Sequence, residues 1–196
     1  MKQNNQYRKT TGEYALTEGQ VKKLLSVVGK IEDEVLLRIA IECGLRRADV
    51  VAVKQKNFDL DRQWLSFNEA KKQSNIHRVP LSQSLTKLIE QYLHIVGKNE
   101  WLFPSSHSPK KHSSKKHISS KTAWNILNKY LIKANLPQRP FHALRATCIK
   151  LCQRRGWSIE QVMKLTNDTF RTIKEHYDTP GEEEMLEVAK AKPLFE

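Results

Sequence analysis

Apolar residues along this 196-residue chain change their period twice, and that switch limits the folds open to it. Val21, Leu24, Leu25 and Val28 recur at helical spacing after Thr17, whose distance from Gln20 fits a capping box. A second helix is expected from Asp33 through Val35, Leu36, Ile39 and Ala40 to Cys43, stopped by Gly44, and a short third over Ala48–Val53. The period then shortens. Phe58 and Leu60, then Trp64, Leu65 and Phe67, then Ile76, Val79 and Leu81 read as three short antiparallel strands. Their turns fall at Asp59–Gln63 and Lys71–Asn75. Helical spacing returns over Gln83–Val96, with Gly97 as the stop, and further helices are expected near 119–134, 142–155, 158–165 and 169–176. Glu183–Lys190 reads as one more, with Met185, Leu186 and Val188 as its apolar side. The expected fold class is mainly α with a small three-stranded antiparallel β-sheet.

Two stretches lack any apolar period. Residues 1–13 are polar and basic and are expected to form a flexible arm. Residues 105–121 are basic and hydroxyl-rich until Ile118 and read as an exposed loop. His107, His112 and His117 recur there every five residues, yet no carboxylate or thiol lies close by, so no metal is expected. Lys110, Lys111, Lys115 and Lys116 in this loop are placed to run along phosphates.

Charge bears on the partner. Hydrophobic residues make up 39% of the chain, which excludes wholesale disorder, and the net charge of +13 favours polyanions. No apolar N-terminal stretch resembles a signal peptide, and no run approaches the roughly 20 apolar residues of a membrane span. Cys43, Cys148 and Cys152 form no paired framework, so a reducing, cytoplasmic setting is expected. Cys148 and Cys152 share a helix face and read as small buried residues.

Against that background, Arg46, Lys72, His142, Arg145 and Tyr177 stand out together. A phenol of pKa about 10 is a poor nucleophile at neutral pH. It needs a group to take its proton, and a phosphodiester under attack needs its charge neutralised. An imidazole, a lysine and two guanidiniums meet both needs. Taken singly, each has a plainer reading. Arg46 fits a surface arginine at a helix end, His142 a helix cap, Arg145 a helix-face charge, and Tyr177 a packed aromatic such as Tyr14, Tyr92 or Tyr130. Lys72 is one of a Lys71–Lys72 pair in a turn and is preferred by its spacing to Pro80.

The local strings resemble the tyrosine recombinase (phage integrase) family, in order. Gly44-Leu45-Arg46 followed by Asp49 resembles its first box, and Lys72 ahead of Val79-Pro80-Leu81 its hairpin lysine. Trp101-Leu102-Phe103-Pro104, the His142-x-x-Arg145 pair and the segment closing on Tyr177 complete the match, from about Leu16 to Tyr177. The resemblance implies a catalytic-domain-like fold over 14–180, with 181–196 as a tail helix that docks on a neighbouring protomer, packing in cis being the alternative. It implies that Tyr177 attacks the scissile phosphorus, Arg46 and Arg145 grip the non-bridging oxygens, His142 serves proton transfer with the tyrosine or holds the phosphate, and Lys72 protonates the departing oxygen. It further implies double-stranded DNA as partner and a homo-oligomer, dimer to tetramer, assembled on it, with accessory DNA-binding proteins and no cofactor. Such a protein acts on nucleoid or viral DNA, by integration, excision or inversion. A catalytically impaired DNA-binding regulator and a type IB topoisomerase-like enzyme are the alternatives. Asp49 is expected to buttress the site. No room is left for the N-terminal core-binding domain of larger recombinases, so the expectation is a single-domain enzyme, as in fimbrial-switch inversion, or an excised catalytic domain.

One position departs from the pattern. Nine residues before Tyr177, where the family places His or Trp, stands Asp168. Beside a phosphate its carboxylate adds repulsion.

Overall fold

The computed structural model describes residues 11–68, 76–105, 116–177 and 182–192. Helices α1 (Glu18–Ser26), α2 (Ile31–Glu42) and α3 (Arg47–Val51) come first. Strands β1 (Phe58–Asp59), β2 (Trp64–Asn68) and β3 (Ile76–Pro80) follow, and then α4 (Gln83–Val96). Next are α5 (Ser120–Lys133), α6 (His142–Arg154), α7 (Ile159–Thr166), α8 (Phe170–His176) and α9 (Glu182–Ala191). The expected class is therefore the observed one.

Helix α1 begins as its sequence dictates. Thr17 Oγ1 accepts from the Gln20 amide at 3.3 Å while Gln20 Oε1 accepts from the Thr17 amide at 3.1 Å. Helix α2 is the central rod. Val35, Leu36, Leu37, Ile39, Ala40 and Ile41 are all buried, with α4 and α6 packed against it. Each large apolar side chain so buried contributes roughly 1.5–3 kcal/mol, which outweighs the weak helix propensity of its β-branched residues. Gly44 ends the run with φ +61, the left-handed geometry that glycine adopts freely.

The sheet runs β1-β2-β3, antiparallel throughout. Leu65 faces Val79 and Phe67 faces His77, and these four residues turn inward. On the outer face the Arg78 guanidinium lies 4.9 Å from the Trp64 ring centroid. The expected turn at Lys71–Asn75 lies outside the described residues. So does most of the basic loop, but its two ends meet: the Ser105 amide donates to the Lys116 carbonyl at 2.9 Å and Ile118 to Phe103 at 3.0 Å.

The expected arm at 1–13 needs correction over its last three residues. Thr11–Tyr14 form a 3-10 turn with Gly12 buried, while residues 1–10 lie outside the described residues. Long-range polar contacts hold this turn: Leu16 donates its amide to Thr147 Oγ1 at 2.8 Å, and Arg139 Nη1 donates to the Tyr14 carbonyl at 3.2 Å. Apolar period carries no trace of them.

A second, smaller core joins α6, α7 and α8 through Ala146, Ile149, Val162, Ile173 and Tyr177. Helix α9 follows with Met185, Leu186 and Val188 exposed, and Arg154 Nη1 lies 3.2 Å from Glu187 Oε2. No helix among the described residues is long and apolar enough to cross a membrane.

A Cβ added at Gly44 would lie 3.0 Å from Cys148 Sγ and 3.2 Å from Thr166 Cγ2, on top of the unfavourable φ. Gly44→Ala is expected to cost about 1–3 kcal/mol, read as a Tm several degrees lower in calorimetry. An unchanged Tm would show that the α2 terminus is not locked.

Candidate active site

Four chain segments converge at one end of α2. Gly44 turns the chain so that Arg46 becomes the residue before α3, and its carbonyl accepts from the amides of Asp49 and Val50 at 2.9 and 3.0 Å. Asp49 is buried in the first turn of that helix. Helix α6 places His142 at its first position and Arg145 one turn on, so both side chains face the same way. Between α7 and α8, Asn167 takes the left-handed conformation at φ 53 and Asp168 precedes Thr169, the cap of α8. Helix α8 then delivers Tyr177 as the residue that closes it.

Arg145 is the anchor. Its Nη1 donates to the Gly44 carbonyl at 2.5 Å and its Nη2 to the Thr166 carbonyl at 2.6 Å. Its side chain is only 3% exposed. Carbonyl dipoles alone leave a buried guanidinium without full counter-charge. Asp168 supplies it: Oδ2 lies 2.6 Å from Arg145 Nη2, and Oδ1 accepts from Arg46 Nη2 at 2.9 Å. The carboxylate thus bridges both arginines and is itself 6% exposed. The contact with Arg145 is close in distance but out of hydrogen-bond alignment, so Oδ2 has no aligned donor.

The phenol and the imidazole form the other half. Tyr177 Oη and His142 Nε2 are 2.5 Å apart, and Tyr177 is 3% exposed. Burial pushes the Tyr177 phenol above its ordinary pKa; the Arg145 and Arg46 guanidiniums oppose that shift and the Asp168 carboxylate adds to it. Burial, reinforced by Arg145, pushes His142 down to about 4. Near neutral pH the imidazole is therefore uncharged. With the hydroxyl as donor, Nε2 is the acceptor, the relation a general base requires.

The structure brings together Arg46, His142, Arg145, Asp168 and Tyr177. Lys71, Lys72, Lys110, Lys111 and Lys115 lie outside the described residues, and Lys116 is exposed at the base of the basic loop. His117 turns from that loop onto the Trp101 ring at 4.8 Å between centroids. One contributor escaped the sequence reading. His77 is buried on β3, stacks on Phe67 at 5.5 Å and donates from Nε2 to the Leu165 carbonyl at 3.0 Å. It ties the sheet to the residue before Thr166, whose carbonyl holds Arg145. The signal was an imidazole at an inward position of an alternating strand.

A buried phenol–imidazole pair beside two guanidiniums, on a helical domain with one small sheet, defines a site equipped for phosphoryl transfer. The chain belongs to the Phage integrase family, which residues 15–178 match. It is similar to the tyrosine recombinase XerA of Pyrococcus horikoshii, 26% identical over 182 residues covering 93% of this chain and 62% of that protein. A crystal structure of XerA recombinase has the same fold, with TM-score 0.76 at 16% identity over 91% of this chain and 65% of that one. A structure of XerH site-specific recombinase bound to difH substrate, a pre-cleavage complex, matches at TM-score 0.70 and 15% identity, over 93% and 53%. The chain thus spans less than two thirds of the length of each of these relatives.

The imidazole makes stability depend on pH in a definable window. Its folded pKa of about 4 lies below the ordinary 6.5, so the unfolded chain takes the proton first. The stabilising effect of a neutral His142 is complete above pH 6.5 and is lost as pH falls towards 4, at up to about 1.4 kcal/mol per pH unit. In urea unfolding between pH 7.5 and 4, His142→Gln is expected to lose stability less steeply than the wild type. Parallel curves would mean that His142 is not buried neutral.

Proposed function

We propose that this protein is a site-specific DNA recombinase that cuts and rejoins strands through a 3′-phosphotyrosyl link. The 2.5 Å contact between the Tyr177 hydroxyl and His142 Nε2 carries the reading. Such a contact has a chemical use when the phenol must lose its proton as it attacks. Tyr177 attacks the scissile phosphorus, the proton passes to His142, and the bond to the 5′-oxygen breaks. Arg46 and Arg145 hold the non-bridging oxygens, where planar guanidiniums suit paired contacts. Lys72 protonates the departing 5′-oxygen, with Lys71 beside it. Attack by a 5′-hydroxyl on the phosphotyrosine reverses the chemistry, so rejoining needs no external energy source. Asp49 buttresses the site from the first turn of α3.

Double-stranded DNA is the partner this chemistry requires, and XerH, with the same fold, is bound to its difH substrate. Lys110, Lys111, Lys115 and Lys116 would add salt-sensitive contacts to phosphates, and the net charge of +13 acts in the same direction. The exposed Met185, Leu186 and Val188 of α9 fit docking on a neighbouring copy, which would couple assembly on DNA, as dimer or tetramer, to placement of Tyr177. Accessory DNA-binding proteins would supplement a domain of this size. The Tyr177–His142 pair favours catalysis over a purely DNA-binding role, since binding alone gives that contact no work.

Duplexes of randomised sequence, nicked so that the released 5′-hydroxyl fragment diffuses away, trap the covalent link. The wild type is expected to yield a denaturant-resistant DNA adduct, and Tyr177→Phe none. Arg46→Ala and Arg145→Ala should reduce its rate by about 10²–10³. An adduct that survives Tyr177→Phe, or none from the wild type across the pool, would overturn the proposal.

A further inference from the structure

We propose that Asp168 is a built-in stand-in for phosphate: its carboxylate occupies the two-arginine cage, and a phosphodiester reaches Arg46 and Arg145 only by exchanging with it. The position of the carboxylate carries this. It spans the two guanidiniums at 2.9 and 2.6 Å, and a phosphodiester bridging the same pair would need that space. Both anions carry a single negative charge, so exchange leaves the charge between the two guanidiniums unchanged. The carboxylate is also held incompletely. Oδ2 is buried without an aligned donor, so charge rather than a complete hydrogen-bond set retains it. A phosphodiester presents two non-bridging oxygens in a tetrahedral arrangement, and each can take a guanidinium.

The backbone provides a way out. Asp168 lies in the short link between Thr166, the last residue of α7, and Phe170, the first of α8. Rotation in that link, beside the left-handed Asn167, withdraws the carboxylate without unwinding either helix. The same link leads into the helix that ends at Tyr177. On the DNA-cleaving reading above, on which this step rests, phosphate binding and the release of Tyr177 from its buried position become one movement. Asp168 is then a positioning residue that holds the site closed until a phosphate arrives.

Inorganic phosphate tests the exchange on the full chain without DNA. In low-salt buffer, removing the carboxylate takes away the anion that bridges the two guanidiniums, so Asp168→Asn is expected to melt below the wild type. Phosphate should raise its Tm by about 4–7 °C more than that of the wild type when present at about 20-fold over its dissociation constant. Comparison with the wild type at equal phosphate removes the general salting effect. The extra rise should vanish in the double variant Arg46→Ala/Asp168→Asn. Equal responses in the wild type and Asp168→Asn, or an extra rise that survives loss of Arg46, would overturn the proposal. Recovery of folded Asp168→Asn only in phosphate supports it, whereas Asp168→Asn and Asp168→His both unfolded in phosphate would count against it. The trapping experiment above fails or succeeds on Tyr177, so loss of the recombinase reading and loss of the exchange are separate results.

Discussion

The bridge from Arg46 through Asp168 to Arg145 is the contact on which both the site and much of the fold depend. Arg145 alone fastens the turn after α2, through the Gly44 carbonyl, to the end of α7, through the Thr166 carbonyl. That arrangement buries a full positive charge. Two carbonyl dipoles soften the cost, but an opposite charge is needed to offset it. Asp168 provides that charge from the link leading into α8, and Arg46 shares it from the corner leading into α3. Three segments distant in sequence are thereby held in register, and the register is that of the site.

The Tyr177–His142 pair depends on the same dry surroundings. Burial alone would disfavour ionisation of both groups, raising the phenol and lowering the imidazole. The guanidiniums make the two shifts unequal in consequence. They oppose the rise of the phenol, which favours loss of its proton, and deepen the fall of the imidazole, which disfavours holding that proton on nitrogen. Tyr177 is also a member of the small core between α6, α7 and α8. The turn at Gly12 closes over its backbone, since a Cβ there would lie 3.0 Å from both Tyr177 Cα and its carbonyl oxygen. Tyr177 is thus held as a packing residue, and on the proposed chemistry its release accompanies an event at the site.

Local features of the chain were legible because local physics sets them. Apolar period fixes α1, α2 and α4, Leu65, Phe67 and Val79 mark the inward face of the sheet, and Thr17 with Gln20 fixes a helix start. The meeting of Arg46, His142, Arg145 and Tyr177 was expected from resemblance, not from any local property. What escaped depends on partners far along the chain. The turn at Thr11–Tyr14 has no apolar period, because Thr147 and Arg139 hold its neighbourhood from more than a hundred residues away. Asp168 is the instructive case. Read beside a phosphate, its charge looks like repulsion; without one, the same charge meets two arginines 122 and 23 residues off, and the sign reverses.

That reversal bears on what a two-arginine clamp requires. Guanidiniums close enough to share one phosphate repel each other when nothing lies between them, and burial magnifies the repulsion. A clamp can avoid this by staying open to water or by carrying its own anion. Here Arg145 is buried too deeply for the first course, and Asp168 serves the second. Competition then shifts elsewhere. A single phosphate exchanging with a tethered carboxylate gains little, because the carboxylate has the higher effective concentration. A duplex offers many phosphates to a chain of net charge +13, and the counterions they release supply free energy that the local exchange lacks. Discrimination between a lone phosphate and a phosphodiester within DNA would then arise at the cage without any contact to a base.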